Sequence, residues 1–272
     1  MKEYLKDKDA IFQTAERLRF EAKCEADVPL DVETLLPCLY PAVCIQISGL
    51  SVRALRHWFQ RQGLPTPPTL VICRDRRLRG GVIASRGYGL LFADQSDTPE
   101  EIRFTFAHEA AHFLHDHLYP RQDLLRRFGP RIQPVLDGLR PPTRDERIDA
   151  LLAHADLALH THLLERDNYP KHDFDSKQGD SELSFSPNYN IDSDLERIEG
   201  EADVFACEIL APHAALSAYF PAIALDEESV TQVHRVLVSD FGLPDAPAED
   251  YARDWVAEHG QPDSLLDRLR LL

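Results

Sequence analysis

The sequence predicts an α+β fold, mostly helical, built around one small mixed sheet and carrying a helical insert. Three observations support this. Apolar residues recur at helical spacing near both ends of the chain. Between residues 43 and 93 the pattern turns to short β-rich runs bounded by turn residues. Residues 98–119 form a longer run with helix punctuation at both ends.

Residues 8–26 read as a helix anchored by Ile11, Ala15, Leu18 and Phe20, and a second helix follows Pro29-Leu30-Asp31. Val43-Cys44-Ile45-Gln46-Ile47 reads as a strand. A helix from Val52 to Gln62 stops at Gly63, and Leu64-Pro65-Thr66-Pro67-Pro68 reads as a stiff linker. Three strand-like runs come next: Thr69 to Cys73, Gly81 to Ser85 and Tyr88 to Ala93. Arg86-Gly87 makes a hairpin turn between the last two. Thr98 then suits an N-cap, Pro99 the first helical position, and Glu101 closes a capping box. Ile102, Phe104, Phe106, Ala107 and Phe113 supply apolar surface, and Tyr119-Pro120 ends the run.

Residues 120–192 read as an insert. Within it, Thr143 to Arg166 has a helical pattern, with Thr143 and Glu146 as capping box and Ile148, Leu151, Leu152, Ala155, Leu159 and Leu163 on one face. Asp173 to Asn190 is polar and reads as an exposed or mobile loop. Ser193 and Glu196 cap a helix that runs to Pro212, with Leu195, Ile198, Ala202, Phe205 and Ile209 as its stripe. Three further helices follow: Glu227 to Asp240, Ala248 to His259, and Asp263 to Leu271. The chain therefore divides into four parts. These are 1–119 with the first helices, sheet and long helix; the insert 120–192; the helix of 193–215; and a helical region 216–272 that suits a partner.

Inside the long helix stands His108-Glu109-Ala110-Ala111-His112. Residues four apart share a helix face, so both imidazoles can reach one ion. Glu109 is placed to take a proton from water at that ion, which is the arrangement of zinc hydrolases. Zn²⁺ then needs one more protein ligand and an open position. Glu199 is the best candidate. Asp203, four residues on, suits the other ring nitrogen of a ligand His. Gly200 costs its helix about 1 kcal/mol relative to Ala, which makes sense if another backbone passes close by. Glu201 and Glu208 read as solvated carboxylates. His115, His117, His154, His160 and His162 read as solvated helical side chains rather than a second metal site. Tyr88, His213 and Tyr219 are candidates for a transition-state hydrogen-bond donor.

The formal net charge of −16 argues against direct nucleic-acid binding. The basic runs at Arg74 to Arg79 and at Arg126, Arg127 and Arg131 read as solvated surface. Five cysteines without C-x-x-C spacing suit a reducing compartment, and no run approaches transmembrane length. The expectation is a cytoplasmic protein with no membrane partner.

The segment Arg103-Phe104-Thr105-Phe106-Ala107-His108-Glu109-Ala110-Ala111-His112, followed by Glu199-Gly200-Glu201-Ala202-Asp203-Val204-Phe205-Ala206-Cys207-Glu208-Ile209-Leu210-Ala211-Pro212, resembles the ImmA/IrrE family of zinc metallopeptidases. That family couples R-F-T-x-A-H-E-x-x-H to a later E-x-x-A-N-x-F-A-x-x-L-L-x-P helix. Asp203 stands where the family usually has Asn, a gluzincin-like choice. Val28-Pro29-Leu30-Asp31-Val32-Glu33 is similar to the family's amino-terminal helix start. The resemblance covers roughly residues 10–120 and 193–215, and the long insert departs from it.

It implies a zincin-like core with His108, His112 and Glu199 on Zn²⁺, Glu109 as base and Asp203 behind a ligand His. It also implies a cytoplasmic protease that cleaves a specific regulatory protein, such as a helix-turn-helix repressor encoded nearby, in a stress-response, mobile-element or defence module. Two other readings stay open: an antitoxin-like binding module that holds metal with little turnover, and a zinc hydrolase of a non-peptide amide. The oligomeric state is not legible.

Overall fold

The computed structural model describes residues 8–24, 28–146, 158–166, 191–221 and 226–260. The polar stretch from Asp173 to Asn190, the middle of the insert helix and the last expected helix (Asp263 to Leu271) lie outside the described residues. So do the side chains of the Ser193/Glu196 capping box.

The chain opens with α1 (Lys8–Glu21) and α2 (Val32–Leu39). Ile11, Ala15 and Leu18 are buried as expected, but Phe20 is exposed and α1 stops short of residue 26. Asp31 caps α2 by accepting the Thr34 N–H. β1 (Ala42–Ile47) leads to α3 (Val52–Arg61), capped by Ser51 accepting the Ala54 N–H.

The expected strand from Thr69 to Cys73 is instead a short helix, α4 (Pro68–Ile72). Pro68 is pre-set for a first helical turn. The Arg56 guanidinium donates to the carbonyls of Leu70, Val71 and Cys73, giving the helix end partners that no ladder supplies. The strand-like Val71 and Ile72 face outward.

β2 (Leu78–Ser85) and β3 (Tyr88–Asp94) form the expected hairpin. Arg86 and Gly87 both take positive φ, 54° and 84°, as a twist-matched two-residue turn requires. α5 (Pro99–His112) has the full Thr98/Glu101 capping box. The run does not end at Tyr119-Pro120. A π-helical turn (Phe113–Leu118) leads into α6 (Tyr119–Phe128), and the Tyr119 N–H reaches back five residues to Leu114 O. Pro120 falls in the first turn of α6, where a missing N–H is tolerated. A 3₁₀ turn (Pro130–Ile132) and α7 (Gln133–Leu136) follow.

Thr143 and Glu146 do form a capping box, but residues 159–165 are a strand, β4 (Leu159–Glu165), not the end of a helix. Leu159 and Leu163 are four apart, a spacing that suits one face of a helix or one face of a strand. The edge of β2 decides, because β4 fills its ladder in antiparallel register. The mixed sheet has strand order β1-β3-β2-β4, with β1 parallel to β3 and the other pairs antiparallel.

α8 (Ile191–Leu210), α9 (His213–Tyr219), α10 (Glu227–Ser239) and α11 (Asp245–His259) complete the described chain. Alternation gives the sheet two apolar faces. Val82, Ala84, Leu91 and Ala93 meet α5 in a large cluster that runs from Ile11 to Val256. Ile83 and Phe92 pack with Leu55, Phe59 and Leu70 of α3 and α4 on the other side. The C-terminal helices join the large cluster through Val233, Leu237, Trp255 and their neighbours, so they share its core. Gly80 lets α5 lie close to β2. A Cβ there would stand 2.4 Å from Thr105 Cγ2 and 3.0 Å from Glu109 Oε1.

Candidate metal centre

α5 packs against α8, and this sets His108, Glu109 and His112 opposite Glu199 and Asp203. His108, Glu109 and His112 are buried. His108 Nε2 lies 3.3 Å from Glu199 Oε2, and His112 Nε2 lies 3.8 Å from Glu199 Oε1. The outer nitrogens have other partners. His108 Nδ1 is 2.8 Å from Asp203 Oδ1, and His112 Nδ1 is 3.0 Å from Asp116 Oδ2. If each Nδ1–H donates to its carboxylate, both Nε2 lone pairs point inward, 3.3 Å apart. Two acceptors at that distance repel unless a cation or proton lies between them. The edge of a tetrahedron with Zn–N bonds of ~2.0–2.1 Å is about 3.3–3.4 Å, so the donor set fits such an ion.

A fourth donor comes from β4. His162 Nε2 is 2.9 Å from Glu199 Oε1, and its Nδ1 is 3.0 Å from Glu109 Oε2. The ligand atoms of His108, His112, His162 and Glu199 all lie within 4.8 Å of one another. The other Glu109 oxygen is buried and has no hydrogen-bond partner among the described residues.

Electrostatics without an ion follow from this crowding. Burial disfavours charge on both rings, yet Asp203 and Glu199 push His108 up to about 9, and Glu109 and Glu199 push His162 up to about 10. Burial also works against the Glu199 carboxylate, but His108 and His162 hold it well below the usual range. Burial and the neighbouring imidazoles hold His112 well below its ordinary value. A divalent cation among these groups would offset the carboxylate charge.

Several expectations fall elsewhere. His162 was expected to be solvated on a helix and is instead half-buried on a strand inside the cluster. His160 is beside it, with Nε2 3.9 Å from Asp116 Oδ2. His115 and His117 are not solvated either. His115 packs edge-on against Tyr119 and Phe205, and His117 accepts the Gly87 N–H at 3.0 Å. His154 lies outside the described residues. Glu201 pairs with Arg197 at 2.5 Å. Glu208 is buried, accepting from Tyr251 Oη at 2.6 Å and from the His213 N–H at 3.0 Å. His213 is thereby committed to Glu208 and Tyr251, while Tyr88 and Tyr219 are exposed. Gly200 meets nothing within 4 Å, so close helix contact does not explain it. The basic runs are partly paired, Arg76 with Glu165 at 2.9 Å and Arg126 with Asp123 at 3.0 Å.

Sequence reasoning missed Asp116 and His162. Asp116 is four residues after His112, and His160-Thr161-His162 alternates with Leu159 and Leu163 at strand period. No helix among the described residues is long and apolar enough to cross a membrane. In comparison with known proteins, the chain matches no family model, no curated protein and no solved structure.

Proposed function

We propose that this chain is a zinc-dependent metalloendopeptidase of the ImmA/IrrE kind. Its substrate on this reading is a specific protein in the cytoplasm, such as a helix-turn-helix repressor encoded nearby. One observation carries the reading. A fully buried carboxylate, Glu109, stands beside the imidazoles of His108 and His112 and the carboxylate of Glu199. Held by His108, His112 and Glu199, Zn²⁺ would polarise a carbonyl and acidify water. Glu109 is the group to receive a proton and pass it to a leaving amine. With each Nδ1–H donated to Asp203 or Asp116, the two rings would leave Nε2 free for the ion. Gly80 keeps space beside Glu109 Oε1.

His162 favours a second reading. A cluster with four protein donors resembles a closed structural site, which suits a metal-holding binding module with little turnover. The deciding experiment incubates purified protein with repressors encoded nearby, with and without chelator. The peptidase reading expects chelator-sensitive cleavage. It also expects Glu109→Gln to keep about one zinc per chain and to lose cleavage. Full cleavage by Glu109→Gln would overturn that role.

A further inference from the structure

β4 covers one edge of β2 with this chain's own residues. Pairing runs from Leu159 opposite Ser85 to Glu165 opposite Leu78. An extended peptide entering a cleft beside α5 would join a sheet edge there, because an edge offers unpaired N–H and C=O groups. β4 already takes those hydrogen bonds. Because side chains alternate, His160 and His162 share the α5 side of the sheet with Ala84 and Val82, opposite them in register. Leu159 and Leu163 pack on the other side, and Thr161 bonds to Thr69. The register therefore delivers His162 into the cluster.

With an ion bound, its position there would exclude a water. His108, His112 and Glu199 leave one place for a fourth ligand, and catalytic zinc sites keep that place open. The His162 ring is placed where it could fill that position, stacked on His112 with centroids 3.8 Å apart and held between Glu109 and Glu199. Glu109 Oε2 is bonded to His162 Nδ1 at 3.0 Å.

β4 is the edge strand beside β2 and is less buried than it. All seven of its residues are only half-buried, whereas β2 is mostly buried. Polar contacts at its ends tie it down. Arg166 reaches Asp94 and Asp97, each at 2.8 Å, Arg76 reaches Glu165 at 2.9 Å, and Ser85 donates to Ala158 O at 2.9 Å.

We infer that His162 is a self-supplied fourth metal ligand and that β4 occupies the edge where a substrate strand binds, so that β4 must leave before cleavage. The ligation rests on donor geometry alone; the occupied-edge half rests on the peptidase reading. Releasing β4 frees the metal position, the Glu109 oxygen and the β2 edge in one step.

The test uses the full chain as wild type, His162→Ala and Arg166→Ala. Cobalt(II) in place of zinc reports coordination through its visible absorption, and a chromophoric chelator reports zinc affinity. Cleavage is followed on fluorescein-labelled casein and on the nearby repressor. His162→Ala is expected to change the cobalt spectrum. Its zinc affinity should fall by at least the ~10–100-fold that a supporting contact is worth. Cleavage should rise, with a ceiling of about 10- to 1,000-fold set by a wild type that opens to ~0.1–10 %. Arg166→Ala removes no metal ligand but loosens β4, so its zinc affinity should fall less than that of His162→Ala while cleavage still rises. It decides the case if melting curves show His162→Ala unfolded. An unchanged cobalt spectrum in folded His162→Ala overturns the ligation. Unchanged or slower cleavage in both variants overturns the occupied edge. Cleavage by none of the three proteins, with a changed spectrum, overturns the peptidase reading and leaves His162 a permanent ligand.

Discussion

His108 and His112 differ in how their outer nitrogens are held. His108 relies on Asp203, from a different helix, and His112 relies on Asp116, one turn along its own chain segment. Each contact would fix a tautomer, and losing it would free the ring to turn away from a bound ion. Asp203→Ala and Asp116→Ala should each weaken zinc binding by on the order of 10–100-fold. Chelator competition measures this directly. Wild-type affinity in Asp116→Ala would mean that packing alone orients His112. Asp203 was legible because it is four residues from Glu199 on a regular helix. Asp116 was not, because its direction depends on a π-helical turn that neither composition nor periodicity announces.

At the scale of elements, the close contact between β2 and α5 depends on a missing side chain. A Cβ at Gly80 would stand 2.4 Å from Thr105 Cγ2 and 3.0 Å from Glu109 Oε1. Gly80→Ala should therefore cost ~1–3 kcal/mol of stability, and Thr105→Ser, which removes that methyl, should recover part of it. Denaturant curves of the double-mutant cycle test this, and purely additive losses would deny the collision. The anchor of β4 adds a pH dependence. Burial opposes ionisation of Asp94, but Ser96, the Gly49 N–H and Arg166 hold its carboxyl below the usual aspartate range. A carboxyl with a lowered folded value stabilises the fold fully above about pH 4 and loses that contribution as pH falls further. Asp94→Asn should be less stable than wild type at pH 7, with the gap narrowing below pH 4. A constant gap across that range would reject the assignment. Elements with their own caps, such as α2, α3 and α5, were legible because the stop and start signals are local. α4 and β4 were not, because their states are set by distant partners: Arg56 for one, the edge of β2 for the other.

Across the whole molecule, the long α8 ties the candidate metal site to the C-terminal helices. Glu199 and Asp203 lie on the same helix as Phe205 and Ile209, which share a buried cluster with Trp255 and Val256 of α11. Amphipathic helices in 216–272 give no sign in the sequence of which core they join. Their apolar stripes pack into the cluster that holds α8, with Trp255 buried between Phe220 and His259. Trp255→Ala should cost ~3–5 kcal/mol, lowering Tm by roughly 6–20 °C for a chain of this size. Because the core is shared, calorimetry should show one transition displaced as a whole. Added zinc should raise Tm in both proteins through its preference for the folded state. Two separate transitions, with only one responding to zinc, would show that the metal site and the C-terminal helices fold independently.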